Sequence, residues 1–117
     1  MLEKEFIVEE QHSALEMESG DLKVLSTPSM IAFMENVAKK VAAKDLEEDQ
    51  TTVGIDLNVQ HVKATALGQT VRVVATLLEQ KKTILSYELE AFEGDSLIGK
   101  GTHKRAIVDA NRFMANL

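Results

Sequence analysis

At 117 residues, with 44 % hydrophobic and 27 % charged side chains, the chain has the make-up of one globular domain spanning residues 1–117. Having no cysteine, it excludes a disulfide scaffold, a thiolate metal site and a cysteine nucleophile. A net charge of −6 and 4 % aromatics argue against nucleic acid as a partner, no apolar run suits a membrane span, and the charged MLEKEF start lacks a signal peptide's apolar stretch, so a soluble cytoplasmic protein is expected.

The hydrophobic period changes along the chain and divides it into elements. Lys4 to Glu9 reads as a first strand, and ALEMES as a single helical turn before Gly20. From Thr27 the period is helical: Met30, Ile31, Met34, Val37, Ala38, Val41 and Ala42 recur at i, i+3, i+4 and i+7. Thr27 as N-cap and Pro28 at the first helical position start this helix, which runs to about Lys44. From Thr51 onward the chain is β-like. Val53, Ile55, Leu57 and Val59 alternate with Gly54, Asp56, Asn58 and Gln60. VRVVATLLE follows, then TILSYELEAF, in which Leu85, Tyr87, Leu89 and Ala91 share one face. The last strand runs from Leu97 to Val108. Short links (ALGQ, EQKK, EGDS) imply antiparallel neighbours, hence a four-stranded meander. One long helix on a curved antiparallel sheet of about five strands is an α+β architecture, and its open edge calls for a second copy.

Three polar residues fall where the pattern wants apolar ones. His61 extends the Val53–Val59 row by one step toward the buried face. It reads either as a satisfied strand-end histidine or as a proton shuttle. Glu35 lies on the flank of the apolar helix stripe, near Ile31 and Ala38. It is either a boundary residue paired with Lys39 or a base or nucleophile against an apolar sheet. Thr27 is either a plain helix cap or a hydroxyl beside the N–H groups that could hold an oxyanion.

Other matches carry less. Gly94–Gly101 approaches a phosphate-binding loop, but the last position is glycine and no helix pattern follows. His12, His61 and His103 form no helical ligand pair, so no metal is expected. Gly99 and Gly101 clear one face of the last strand for a ligand or for the central helix, and Lys104 and Arg105 follow them.

The segments STPSMIAFMENVA, TTVGIDLNVQHVKATALG and IGKGTHKRAIV, in this order and spacing, resemble the fluoroacetyl-CoA thioesterase-like branch of the hotdog-fold thioesterases. The resemblance covers roughly residues 24 to 113. It implies a hotdog fold in which two subunits join their sheets edge to edge, as a homodimer or a dimer of dimers. It places the family's catalytic residues on Thr27, Glu35 and His61, its glycine on Gly54, and an arginine facing coenzyme A phosphates on Arg105. The implied activity is hydrolysis of an acyl-CoA thioester with no cofactor beyond the coenzyme A of the substrate. The fluoroacetyl-specific enzyme carries a longer N-terminal lid with aromatic gates, whereas no aromatic lies between Phe6 and Phe33 here. An ordinary small or medium acyl group is therefore expected. Two rival readings keep the fold but change the activity: a non-catalytic acyl-CoA binding module, or an enoyl-CoA hydratase, for which the expected Asp–His pair is absent.

Overall fold

Helix α1 (Thr27–Ala43) forms where the apolar stripe predicts, and it buries Met30, Phe33, Met34, Val37, Ala38 and Ala42. The computed structural model describes residues 1–117. Five strands make one antiparallel sheet: β1 (Leu2–Ile7), β2 (Gln50–His61), β3 (Thr70–Lys81), β4 (Ile84–Glu93) and β5 (Ser96–Asp109). A short helix, α2 (Ala110–Ala115), ends the chain. The core lies between α1 and the concave face of the sheet. Val71, Val73 and Ala75 of β3 and Leu85, Tyr87, Leu89 and Ala91 of β4 meet the helix stripe there. This is the hotdog arrangement expected from the sequence. No helix is long and apolar enough to cross a membrane.

The helix start differs from the expected one by a single residue, and the difference matters. Ser26, not Thr27, is the N-cap: its hydroxyl accepts from the Ser29 N–H at 3.1 Å. Thr27 is therefore the first helical residue, and its hydroxyl is released from capping.

The strand order is β1-β3-β4-β5-β2, so the meander is three-stranded, and β2 pairs with β5 instead of β3. The eight residues after His61 form no tight turn. They cross the end of the sheet, bridging Val24 through Ala66 and accepting from the Leu25 N–H at the Thr65 carbonyl. Consequently β2 is an edge strand, twice as long as the other edge, the charged six-residue β1.

The strict alternation expected along β2 is broken by a β-bulge between Gly54 and Asp56. The extra residue, Ile55, has no partner on β5 and is 51 % exposed. Before the bulge Thr52 and Gly54 stand opposite Ile107 and Arg105; after it Leu57, Val59 and His61 stand opposite His103, Gly101 and Gly99. Thr52 and Gly54 thus share the concave face with Leu57, Val59 and His61, while Val53 is turned to the other side.

The N-terminal segment packs beside the helix start. Glu10–His12 forms one 3-10 turn, and the His12 ring meets Phe33 edge-on at 4.9 Å. Phe33 itself stacks on Phe6 of β1 at 4.4 Å. The ALEMES stretch is a hydrogen-bonded turn rather than a helical one, ending at Glu18 with φ 57°. Helix α2 was not expected from the sequence; Asp109 caps it by accepting from the Arg112 N–H at 2.9 Å.

Candidate active site

At the start of α1, Thr27 Oγ1 lies 2.8 Å from His61 Nδ1. The contact exists because Ser26 takes over capping and because the bulge sets His61 on the concave face. His61 Nε2 is buried and has no hydrogen-bond partner. Burial lowers the His61 pKa below its ordinary 6.5, against a smaller opposing pull from the Lys63 backbone. The ring is therefore neutral at neutral pH, with one nitrogen engaged by Thr27 and the other bare. Both residues line a cleft of about 340 Å³, with walls including Ala14, Val24, Leu25, Val62 and Ala64. Lys63 is the one lysine or arginine on this lining, and no aromatic side chain belongs to it. The positive end of the α1 dipole opens into the same cleft.

Glu35, two turns further along α1, occupies a different setting. Its Oε2 accepts from Arg105 Nη1 at 3.2 Å, and its side chain is 41 % exposed. The helix neighbour Lys39 is not its partner. Arg105 is only 6 % exposed and is held on several sides. Its Nε donates to Thr52 Oγ1 at 2.9 Å and its Nη2 to the Thr52 carbonyl at 3.1 Å. Nη1 also lies 3.1 Å from His103 Nε2, and His103 Nδ1 lies 2.8 Å from the Asp56 carbonyl. Gly54 is the floor beneath the carboxylate: a Cβ there would stand 2.7 Å from Glu35 Oε2 and 3.2 Å from His103 Cε1. Glu35, Gly54, Leu57 and His103 line a second, shallower hollow of about 250 Å³.

Within one chain, then, Thr27 and His61 meet at one end, while Glu35 and Gly54 meet Arg105 farther along, about 12 Å from Thr27 on α1 and about 20 Å from His61 on β2. Arg105, expected to face coenzyme A phosphates, is buried within one chain. Its guanidinium points into the core side of the sheet, and Thr52, His103 and Glu35 use its donors. Lys104 stands on the opposite face and is exposed. Gly99 admits the helix, since a Cβ there would run into the Met30 thioether, and Gly101 lies against the β2 backbone; neither opens a ligand space. Thr52 and His103 were not singled out as a pair from sequence. The period-two row Gly99, Gly101, His103, Arg105, Ile107 carries the signal for the inward histidine and arginine.

Comparison with known proteins agrees with this architecture. The family model for the fluoroacetyl-CoA-specific thioesterase FlK matches residues 8–111. The fluoroacetyl-CoA thioesterase of Streptantibioticus cattleyicolor is 34 % identical over 95 residues, 81 % of this chain and 68 % of that protein. A crystal structure of a point variant of FlK with fluoroacetate and CoA superposes with a TM-score of 0.94 at 28 % identity, covering 99 % of this chain and 95 % of that one. A thioesterase superfamily member from Thermus thermophilus gives 0.88 at 26 % identity, covering 97 % and 84 %. With a matched span of this length on top of the shared fold, the chain belongs to the fluoroacetyl-CoA-specific thioesterase family.

Proposed function

We propose that the protein is a cytoplasmic acyl-CoA thioesterase that hydrolyses small or medium acyl thioesters to the free acid and coenzyme A, working as a homodimer of single-domain subunits. The observation that carries the reading is the Thr27–His61 hydrogen bond at the helix start, where both residues line a cleft and His61 Nε2 is buried without a partner. Family membership supports thioester hydrolysis over a non-catalytic binding module. The lack of aromatic side chains on the cleft wall favours an ordinary acyl group over a specifically gated fluorinated one.

The chemistry follows from the two clusters. We take Thr27 O–H as the donor to Nδ1, the direction that puts the ring proton of neutral His61 on Nε2 for the thioester carbonyl. As water adds, the carbonyl oxygen gains charge and is held by that N–H and by the positive end of α1. Glu35, its Oε2 held by Arg105, takes the proton of the attacking water on Oε1. The C–S bond then breaks, and the leaving thiolate takes up the proton that Glu35 removed from the water, which restores the carboxylate and leaves His61 neutral. Lys63, the one lysine or arginine on the cleft lining, is a cation we place toward the coenzyme A phosphates, beside the role expected of Arg105.

Thr27 and Glu35, about 12 Å apart on α1, with the two ends of β2 about 20 Å apart, are too far from each other to act on one carbonyl within a single chain. An antiparallel pairing of two β2 edges about a two-fold axis brings the Gly54–Glu35 end of one protomer beside the Thr27–His61 end of its partner, giving two composite sites. Edge length supports this, as do Ile55 and Leu57 of β2, which are 51 % and 38 % exposed.

Incubation with acyl-CoAs of short, branched and aromatic acyl groups, followed by free-thiol detection, tests the activity. Release is expected for the smaller acyl groups. Glu35→Gln should cut kcat by at least about 100-fold with the fold unchanged. Tight binding without thiol release across the panel would instead establish the binding module.

A further inference from the structure

The hydrogen-bond directions around His103 are determined by chemistry. The Asp56 carbonyl has no proton, so His103 Nδ1 must carry the hydrogen of their 2.8 Å contact. In the neutral ring Nε2 is then a lone-pair acceptor, and it receives one of the two Nη1 hydrogens of Arg105 at 3.1 Å. The other Nη1 hydrogen goes to Glu35 Oε2 at 3.2 Å. Thr52 fixes the opposite edge of the guanidinium through Nε and Nη2. His103 is 1 % exposed, and its Nε2 is 3.8 Å from Glu35 Oε2, beyond hydrogen-bond range.

We infer that His103 is a positioning residue: locked in its Nδ1–H form by the carbonyl just after the β2 bulge, it orients Arg105 Nη1 so that one Glu35 oxygen is held and the other is free for water. The inference rests on the thioesterase reading for its effect on turnover. The bulge acquires a purpose beyond clearing Gly54, because it also sets the Asp56 carbonyl against the imidazole. A ring proton on Nε2 would face the Arg105 donors and break the arrangement, so only one protonation form fits.

The test uses two amides that differ in reach. His103→Gln can extend an acceptor to the position of Nε2; His103→Asn can satisfy the Asp56 carbonyl but falls short of Arg105. On the dimeric protein, His103→Asn should lower kcat on the order of 10-fold or more with KM within about threefold, and His103→Gln should recover most of the loss. Thermal unfolding of both variants is followed in parallel. The 13C resonance of the Glu35 carboxylate supplies a readout that needs no turnover, moving in His103→Asn and staying in His103→Gln. Equal kcat losses in the two variants, or an unmoved Glu35 resonance in His103→Asn, would overturn the inference. A wild-type protein that releases no thiol would refute the thioesterase reading, while the carboxylate resonances would still decide the role of His103.

Discussion

The two ends of strand β2 solve opposite problems. At the His61 end a single side-chain hydrogen bond, with Thr27, orients an imidazole whose second nitrogen is buried without a partner beside an open cleft. At the Gly54 end one carboxylate is gripped by an arginine that itself makes bonds to Thr52 and His103. A group that must hydrogen-bond a substrate needs an unoccupied atom. A buried guanidinium, by contrast, is tolerable only when its donors are satisfied, since leaving such a charge unpaired costs about 3–5 kcal/mol. The fixed charge and the unpartnered imidazole are thus kept apart in each chain, and the edge-to-edge dimer proposed above would join them.

The sharpest way to break the gripped end is Gly54→Ala. The new Cβ would meet Glu35 Oε2 at 2.7 Å, so the carboxylate must leave Arg105 or Arg105 must shift. Because a displacement near 1 Å at a reacting group costs about 100-fold, kcat should fall by roughly that factor. Gly54 has no left-handed backbone conformation, so alanine adds no backbone strain, but loss of the ionic partner of buried Arg105 should lower the melting temperature as well. Steady-state kinetics beside calorimetry check the pair of outcomes, and retained turnover would separate Gly54 from the site.

The open end is probed more gently through the two hydroxyls at the helix start. Thr27→Val removes the partner of His61 Nδ1 with little change of shape; one hydrogen bond of about 1 kcal/mol implies a five- to tenfold loss of kcat. Ser26→Ala should do the reverse, lowering stability by about 1 kcal/mol through the lost cap and leaving turnover nearly intact. Measuring kcat and chemical denaturation for both variants shows whether capping and catalysis are divided between neighbours as the contacts imply.

That division also marks how far the chain could be read before its fold was known. The stripe from Met30 to Ala42 and the alternation of Leu85, Tyr87, Leu89 and Ala91 are local periodicities, and both elements form where those patterns lie. Ser26 and Thr27 are adjacent hydroxyl residues before a proline, and propensity alone does not say which one caps. The bulge at Ile55 leaves the apolar alternation of β2 intact while changing which side chains share a face. Pairing of β2 with β5 joins Gly54 to Arg105 across a long stretch of chain that no short-range pattern reports. Glu35 was visible as a residue out of place, but its partner was not, because the helix offered Lys39 nearer in sequence.

The pH dependence should carry the signature of the open end. Burial disfavours protonated His61, so its folded pKa lies below 6.5 and below that of the unfolded chain. Stability from this group is present above 6.5 and lost as pH falls through that value toward the folded pKa. The same ring must be neutral to act, so the acid limb of kcat/KM should bend below pH 6.5. A limb centred above that value would detach His61 from turnover.

The smallest effect separates two buried atoms that share one property. Tyr87 Oη, like His61 Nε2, is buried without a hydrogen-bond partner. Burial raises the Tyr87 pKa, a change that Arg105 partly opposes, so the phenol stays neutral. Its ring centroid is 6.3 Å from that of His103, yet the hydroxyl joins neither cluster. His61 lines a cleft of about 340 Å³, whereas Tyr87 lines a mostly apolar cavity of only about 30 Å³ under the far end of α1. Tyr87→Phe should therefore leave kcat and KM within about twofold and raise stability by up to about 1 kcal/mol, since it removes an unsatisfied buried group without removing its ring. A loss of kcat in this variant would mean that the gripped end extends through His103 to Tyr87. Denaturant unfolding and steady-state kinetics on one preparation decide between the two.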